Sequence, residues 1–332
     1  MLVSDFDPSH LARGKHRLFV ELSSSHDGAS LGFPALCARG SPGPTLAVLA
    51  GIHGDEFEGV AAIHRVFGEA NPTDWTGCLL AVPLVNLPAA TAISRFSPID
   101  HVNLARVFPG DISGTYSQRL AAAITSCIIR HADLLLDLHS AGAGYSMPTL
   151  CGHTWLGDSV SDRSRQAALA FGAPVVWEDC EPAPGRTLAA AQELGIPSVY
   201  AETTGGGWLR PGDVAAFARG IRNLLHHLGV CRGDVPTPPE PLFVRGGGDL
   251  DFAVRSEQSG FLVNAVELLD RVGAGDRLGT VFNLLGEPIE EVRAPRGGYL
   301  MMRRETPMVR TGEMVYALAP ERVTLSELEA RR

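Results

Sequence analysis

Four side chains in this sequence have the donor types needed for metal-assisted hydrolysis: His53, Glu56, His139 and Glu202. His53 and Glu56 stand three apart in Gly51-Ile52-His53-Gly54-Asp55-Glu56, directly after the apolar run 46–50. An imidazole and a carboxylate at that spacing suit a zinc ion, which takes N and O donors and keeps a position open for water. On spacing alone, a lone His-x-x-Glu reads better as a solvated turn with a helix-capping carboxylate. The other two residues change that balance. His139 closes the apolar run 133–138, and Glu202 closes Ser198-Val199-Tyr200-Ala201-Glu202 before a run of glycines. A single histidine after an apolar strand is more often a core or turn residue, but this one repeats the topological position of His53. Two histidines and one glutamate leave the fourth zinc position for water, with Glu202 as a remote base. Zinc lowers the pKa of water toward about 7 and polarises a carbonyl, which is what amide hydrolysis at neutral pH requires.

The elements that must position these residues follow from pattern. Residues 16–22 and 33–39 alternate apolar and polar and predict antiparallel strands. Short apolar runs at 46–50, 78–85, 133–138, 174–177 and 198–202 predict buried strands. Helical spacing predicts helices from 58 to about 67, then over 117–130, 162–171, 186–194 and 213–227, the last with Asp213 as N-cap. This alternation argues for an α/β fold: a central mixed, largely parallel sheet flanked by helices. Open sheets of that kind place ligands at the carboxyl ends of their strands, where His53, His139 and Glu202 fall. Between 86 and 116 lies a long segment with little periodicity, of the kind that is usually functional or disordered. It carries Arg95, Arg106 and few acids, so it suits an anion, although two solvated surface arginines are a common alternative.

Beyond the proline-rich stretch at 235–242 the pattern changes to short runs punctuated by glycine, the signature of a small all-β unit. The expected organisation is a hydrolase-sized domain over 1–234, a linker over 235–242 and a small β-barrel-like domain over 243–332. The chain of 332 residues is 45% hydrophobic and 20% charged, enough for a sizeable core. Its net charge of -9, with no basic stripe to offset it, argues against a nucleic-acid partner. No stretch approaches the roughly 20 apolar residues needed to span a bilayer, and the N-terminus lacks a signal-peptide layout. The six cysteines are scattered without a Cys-x-x-Cys pair, as reduced thiols of a cytoplasmic protein would be. Nothing in the sequence sets the oligomeric state, and a homo-oligomer is compatible with it.

Taken in order, GIHGDEFEG, Asn86, RFSPIDHVNLARVFPGD, DLLLDLHSAG and YAETTGG resemble the succinylglutamate desuccinylase/aspartoacylase family, zinc amidohydrolases related in fold to the metallocarboxypeptidases. The likeness covers roughly residues 30 to 230, and the C-terminal β unit resembles the family's appended domain. The chain looks nearest the longer bacterial members that act on N-acylated diamino acids, such as the acetyl-diaminobutyrate deacetylases. The resemblance implies one zinc per chain on His53, Glu56 and His139, and Glu202 as general base and then acid. It implies Arg95 at the developing oxyanion and Arg106 on a substrate carboxylate. The expected substrate is a small N-acyl amino acid or N-acyl diamino acid. The chain departs from the family at Ala105, where an asparagine is usual. Asn103 stands where some relatives have an aspartate that orients a zinc-binding histidine; it can still accept a hydrogen bond from His53.

Three other readings stay open at this point. A carboxypeptidase-like peptidase would use the same site behind an open groove, whereas a small-substrate deacylase can have its mouth narrowed by the β unit. A degenerate, inactive hydrolase is compatible with Ala105. A carrier module of the biotinyl or lipoyl type is disfavoured, because the chain has no lysine from Val244 onward to carry the group.

Overall fold

The computed structural model describes residues 6–24, 30–181, 183–233, 240–246, 253–319 and 321–322. The alternating segments near the start form an antiparallel pair, β1 (Gly14–Ser24) and β2 (Ser30–Arg39). Then come β3 (Ser41–Ala50), α1 (Glu58–Glu69), β4 (Thr76–Val82), α2 (Leu87–Thr91), α3 (Tyr116–Cys127) and β5 (Leu134–Leu138). The chain continues through β6 (Tyr145–Ser146), β7 (Leu150–Thr154), α4 (Ser159–Phe171), β8 (Val175–Asp179), α5 (Thr187–Glu193), β9 (Ser198–Glu202), α6 (Pro211–His227) and β10 (Leu242–Arg245). With the terminal pair β19 (Glu321–Arg322), the large sheet has the order β1-β2-β4-β3-β5-β9-β7-β8-β10-β19.

Its centre is parallel: β4, β3, β5 and β9 run the same way, as do β7, β8 and β10. The two blocks meet antiparallel, with Leu150 opposite Glu202 and Gly152 opposite Tyr200. The expected α/β architecture is therefore present. Strand β3 shows why it must be a sandwich. Leu46, Val48 and Ala50 face a core with Ile63 and Phe67 of α1 and Phe217 and Ile221 of α6. Ala47 and Leu49 face the other layer, with Leu120 and Ile124 of α3. A fully buried side chain of the larger apolar types contributes roughly 1.5–3 kcal/mol, so neither face can be left to water.

The β unit also matches the expectation of an all-β segment. It comprises β11 (Val254–Arg255), β12 (Gly260–Asn264), β13 (Arg271–Val272), β14 (Arg277–Phe282), β15 (Pro288–Arg293), β16 (Gly298–Arg304), β17 (Met308–Val309) and β18 (Met314–Ala319). Leu262, Leu278, Val281, Leu300 and Tyr316 lie in its own core.

Three details differ from the sequence reading, and the aperiodic segment 86–116 gains a physical account. Strand β7 went unseen, because Gly152 and His153 interrupt its apolar run. Asp213 is not an N-cap: α6 starts at Pro211, and Asp213 Oδ1 accepts the Thr204 hydroxyl at 3.2 Å from inside the first turn. Most of the proposed linker, 235–239, lies outside the described residues, and its far boundary moves. Residues 242–245 belong to the large sheet, Leu242 pairing with Val175 and Arg245 with Glu178, rather than to the β unit. The aperiodic segment 86–116 is built on side-chain-to-backbone bonds instead of ladders. Asn86 Oδ1 accepts from Ala89 N and its amide donates to Ile52 O, while Asp100 accepts from both Ser117 N and Ser117 Oγ. Gly54 is required here, since a Cβ would lie 2.0 Å from the Ala89 carbonyl carbon. Among the described residues no helix is long and apolar enough to cross a membrane.

Candidate metal centre and active site

Neighbouring strands β3, β5 and β9 deliver the key residues to one end of the sheet. The turn after β3 carries His53 and Glu56, the residue after β5 is His139, and β9 ends on Glu202. His53 Nδ1 lies 2.7 Å from Glu56 Oε1, and His139 Nδ1 lies 2.8 Å from Glu56 Oε2. One donor atom from each of the three falls within 4.8 Å of the others, and the two imidazole rings are 5.1 Å apart at their centroids. Two nitrogens and a carboxylate converging on one point fit a metal ion.

The outer ring nitrogens are held in turn. His53 Nε2 lies 3.1 Å from Asn103 Oδ1, which also accepts Ala105 N–H. His139 Nε2 lies 3.1 Å from Asp137 Oδ2, and that oxygen accepts the Thr187 hydroxyl. Outer contacts of this kind fix ring orientation and raise donor strength. Asp137 and Thr187 escaped the sequence reading. The available signal was a carboxylate inside an apolar strand, two residues before His139 and so on the same strand face.

Electrostatics point the same way. Burial works against the Glu56 charge, yet the flanking imidazoles outweigh it and hold the carboxyl well below its usual range. Burial also opposes a charge on His139, but Asp137 and Glu56 carry its pKa well above 6.5. His53 is lowered by burial, with Glu56 opposing. The cluster thus draws in positive charge, which a proton supplies on His139. Glu202 is pushed up to about 8 by desolvation, against the pull of His139. Its Oε2 is buried with no hydrogen-bond partner among the described residues.

All of these residues except Asn103 line a cavity of about 380 Å³. Arg95 reaches into it, with Nη1 3.3 Å from both Glu56 Oε1 and His53 Nδ1. Arg106 lines its exposed side and donates from Nη1 to the Ala105 carbonyl at 2.9 Å. Trp177, Asp179, Tyr200 and Arg186 extend the lining along the sheet. Met302, Met314 and Ala317 of the β unit close another wall. That unit is joined to the site directly: β16 pairs with β6, which follows His139 by a short loop.

Residues 42–228 match the model of the succinylglutamate desuccinylase/aspartoacylase catalytic domain. The chain belongs to this family. It is 32% identical to the N-alpha-acetyl-L-2,4-diaminobutyric acid deacetylase of Halomonas elongata over 322 residues, 95% of this chain and 93% of that protein. Among solved structures it is similar to the product-bound ectoine utilization protein EutE (DoeB) of Ruegeria pomeroyi, with 31% identity and a TM-score of 0.87 over 94% of this chain and 97% of that one. A succinylglutamate desuccinylase/aspartoacylase from Rhodobacter sphaeroides matches at 26% identity with a TM-score of 0.87, covering 97% of this chain and 98% of that one.

Proposed function

We propose that this chain is a zinc-dependent amidohydrolase that removes the acyl group from a small N-acyl amino acid or N-acyl diamino acid. The observation that carries the reading is the convergence of His53, Glu56 and His139 on one point, with the buried, unpartnered oxygen of Glu202 in the same cavity. His53, Glu56 and His139 would hold the zinc ion, which supplies the Lewis acidity that activates water and polarises the amide carbonyl.

The remaining steps belong to side chains. Glu202, whose buried Oε2 has no hydrogen-bond partner among the described residues and which lines the same cavity, takes the proton from the attacking water and returns it to the departing amine nitrogen. Arg95 brings a guanidinium to the same edge of the cavity as Glu56 and stabilises negative charge growing on the carbonyl oxygen. Arg106, on the exposed side, grips the substrate carboxylate with its planar fork. Asn103 and Asp137 keep the two imidazoles aimed. The names of the relatives, a diaminobutyrate deacetylase and desuccinylases, support a small acylated amine as substrate. So does the methionine wall from the β unit, which leaves a cavity sized for a small molecule rather than a peptide groove.

The test is acid release from a panel of N-acetyl, N-succinyl and N-formyl amino acids by the zinc-loaded chain, beside a Glu202→Gln variant. Glutamine is near-isosteric but cannot shuttle the proton, so zinc content should persist while turnover falls by about 10²–10⁴. Cleavage of unblocked peptides in preference to acyl amino acids would move the reading to a peptidase.

A further inference from the structure

Away from the metal-ligating group, the cavity runs diagonally across the face of the large sheet. The register of β9, β7 and β8 puts Glu202, Leu150 and Val175 in one row and Tyr200, Gly152 and Trp177 in the next. Asp179 falls one row further, opposite Thr154. Residues two apart on a strand share a face, so Glu202 and Tyr200 point the same way, as do Trp177 and Asp179. Glu202, Tyr200, Trp177, Asp179 and Thr154 all line the cavity.

Gly152 decides where the tyrosine goes. A Cβ at this position would lie 2.1 Å from Tyr200 Cε1, 2.2 Å from Cζ and 2.6 Å from the hydroxyl oxygen. The phenol therefore lies flat across β7, with its hydroxyl carried over Gly152 rather than beside its own strand. Burial first, then the charges of Asp179 and Glu202, push the phenol well above 10. Asp179 acts on it more strongly than Glu202 does. Arg186 acts in the opposite sense. Asp179 and Glu181 share the cavity lining with Arg186 and Arg106. A carboxylate beside the indole of a buried Trp177 and a phenol is an arrangement that receives an organic ammonium, through one charge-assisted bond and the faces of two rings.

We propose that Asp179 and Tyr200, with the Trp177 ring, form a subsite for a protonated amine at the end of the substrate's side chain. They would set selectivity for N-acyl diamino acids over N-acyl amino acids with neutral or anionic side chains. This rests on the amidohydrolase reading above, deepens it, and assigns Gly152 the task of making room for the ring.

The experiment uses the zinc-loaded full chain and compares kcat/KM for Nα-acetyl-2,4-diaminobutyrate, Nα-acetylornithine, Nα-acetylnorvaline and Nα-acetylglutamate. Wild type should favour a cationic substrate. In Asp179→Asn the ratio of cationic to neutral substrate should collapse by about 10- to 150-fold, the range of one charge-assisted hydrogen bond. Tyr200→Phe should shift it in the same direction by less. Gly152→Ala should act only through the ring, so adding it to Tyr200→Ala should cost nothing further. An equal fall on both substrates in Asp179→Asn, or wild-type indifference to the amine, overturns the subsite. Calorimetric binding of free 2,4-diaminobutyrate against 2-aminobutyrate, in wild type and Asp179→Asn, separates this idea from the hydrolase reading. If no acyl compound is cleaved yet the diamine binds through Asp179, the hydrolase reading falls and the subsite stands. If the second amine adds nothing to binding, the subsite falls whatever the turnover.

Discussion

Asp137 holds His139 from behind: its Oδ2 lies 3.1 Å from His139 Nε2 and is itself fixed by the Thr187 hydroxyl of α5. His139 thus meets a carboxylate at each ring nitrogen, Glu56 on the side facing His53 and Asp137 on the other. Asp137→Asn keeps the shape and an acceptor but removes the charge. Metal affinity should fall by about 10- to 100-fold, the usual effect of losing such an outer partner. Competition with a chromophoric chelator measures this, and wild-type affinity in the variant would leave Asp137 without that role.

Metal binding should release a proton near neutral pH. Without metal, His139 is held well above 6.5 and keeps its proton where a metal would sit. The ion must displace it, so affinity should rise as pH rises through the neutral range. Calorimetry in buffers of different ionisation enthalpy reads the proton count. The expected value is close to one per metal bound, and none released would mean that His139 is neutral or not a ligand.

How much of this was legible in the sequence depends on what holds each part. His53, Glu56, His139 and Glu202 could be found because each sits where an apolar run stops, and apolar runs are one-dimensional signals. Asp137 was hidden inside such a run. Tyr200 and Gly152 were hidden differently: their contact crosses two strands, one of which, β7, is too interrupted by Gly152 and His153 to read as a strand. The segment carrying Arg95 and Arg106 gives no periodicity because Asn86, Asp100 and Asn103 satisfy its backbone one side chain at a time. Strand β10 looked like the start of the β unit because it follows the prolines; only its pairing with β8 assigns it to the large sheet.

His153 should make the fold acid-sensitive before the carboxylates do. It is fully buried, and burial, followed by the charge of Arg165, depresses its pKa from 6.5 to about 3. A buried neutral imidazole binds its proton in the unfolded chain first. Stability is therefore fully present above pH 6.5 and is lost as pH falls toward 3, at up to about 1.4 kcal/mol per pH unit. His153→Asn should flatten the slope of unfolding free energy against pH between 6.5 and 4.5, relative to wild type. Parallel slopes in urea titrations would show that His153 is charged in the folded state or exposed.

The strand that leads into the β unit is clamped by one carboxylate shared between two guanidinium groups, and the sharing makes its two ends unequal. Glu178 is completely buried; Arg165 Nε donates to its Oε2 at 2.8 Å and Arg245 Nε to its Oε1 at 2.7 Å. Both guanidinium groups also stack on Trp155, at 4.6 and 5.2 Å from the ring. Arg245→Met removes one fork but leaves Glu178 and Arg165 as a matched pair, with an apolar side chain over the indole. Glu178→Gln removes the buried counter-charge shared by the two cations and leaves Arg165 only the more distant Asp162, at 3.9 Å. The first should cost about 1–3 kcal/mol, one charge-assisted contact. The second should cost about 3–5 kcal/mol, because an unpaired buried charge is the expensive outcome. Because β10, between β8 and β19, is the last strand of the large sheet before the unit that supplies Met302 and Met314, the glutamate variant should also lose discrimination among acyl substrates before it loses metal. Urea unfolding of the two variants, with zinc content and an acyl panel alongside, checks the order. Equal destabilisation, or a larger loss from Arg245→Met, would show that strand packing rather than the shared charge holds β10 in place.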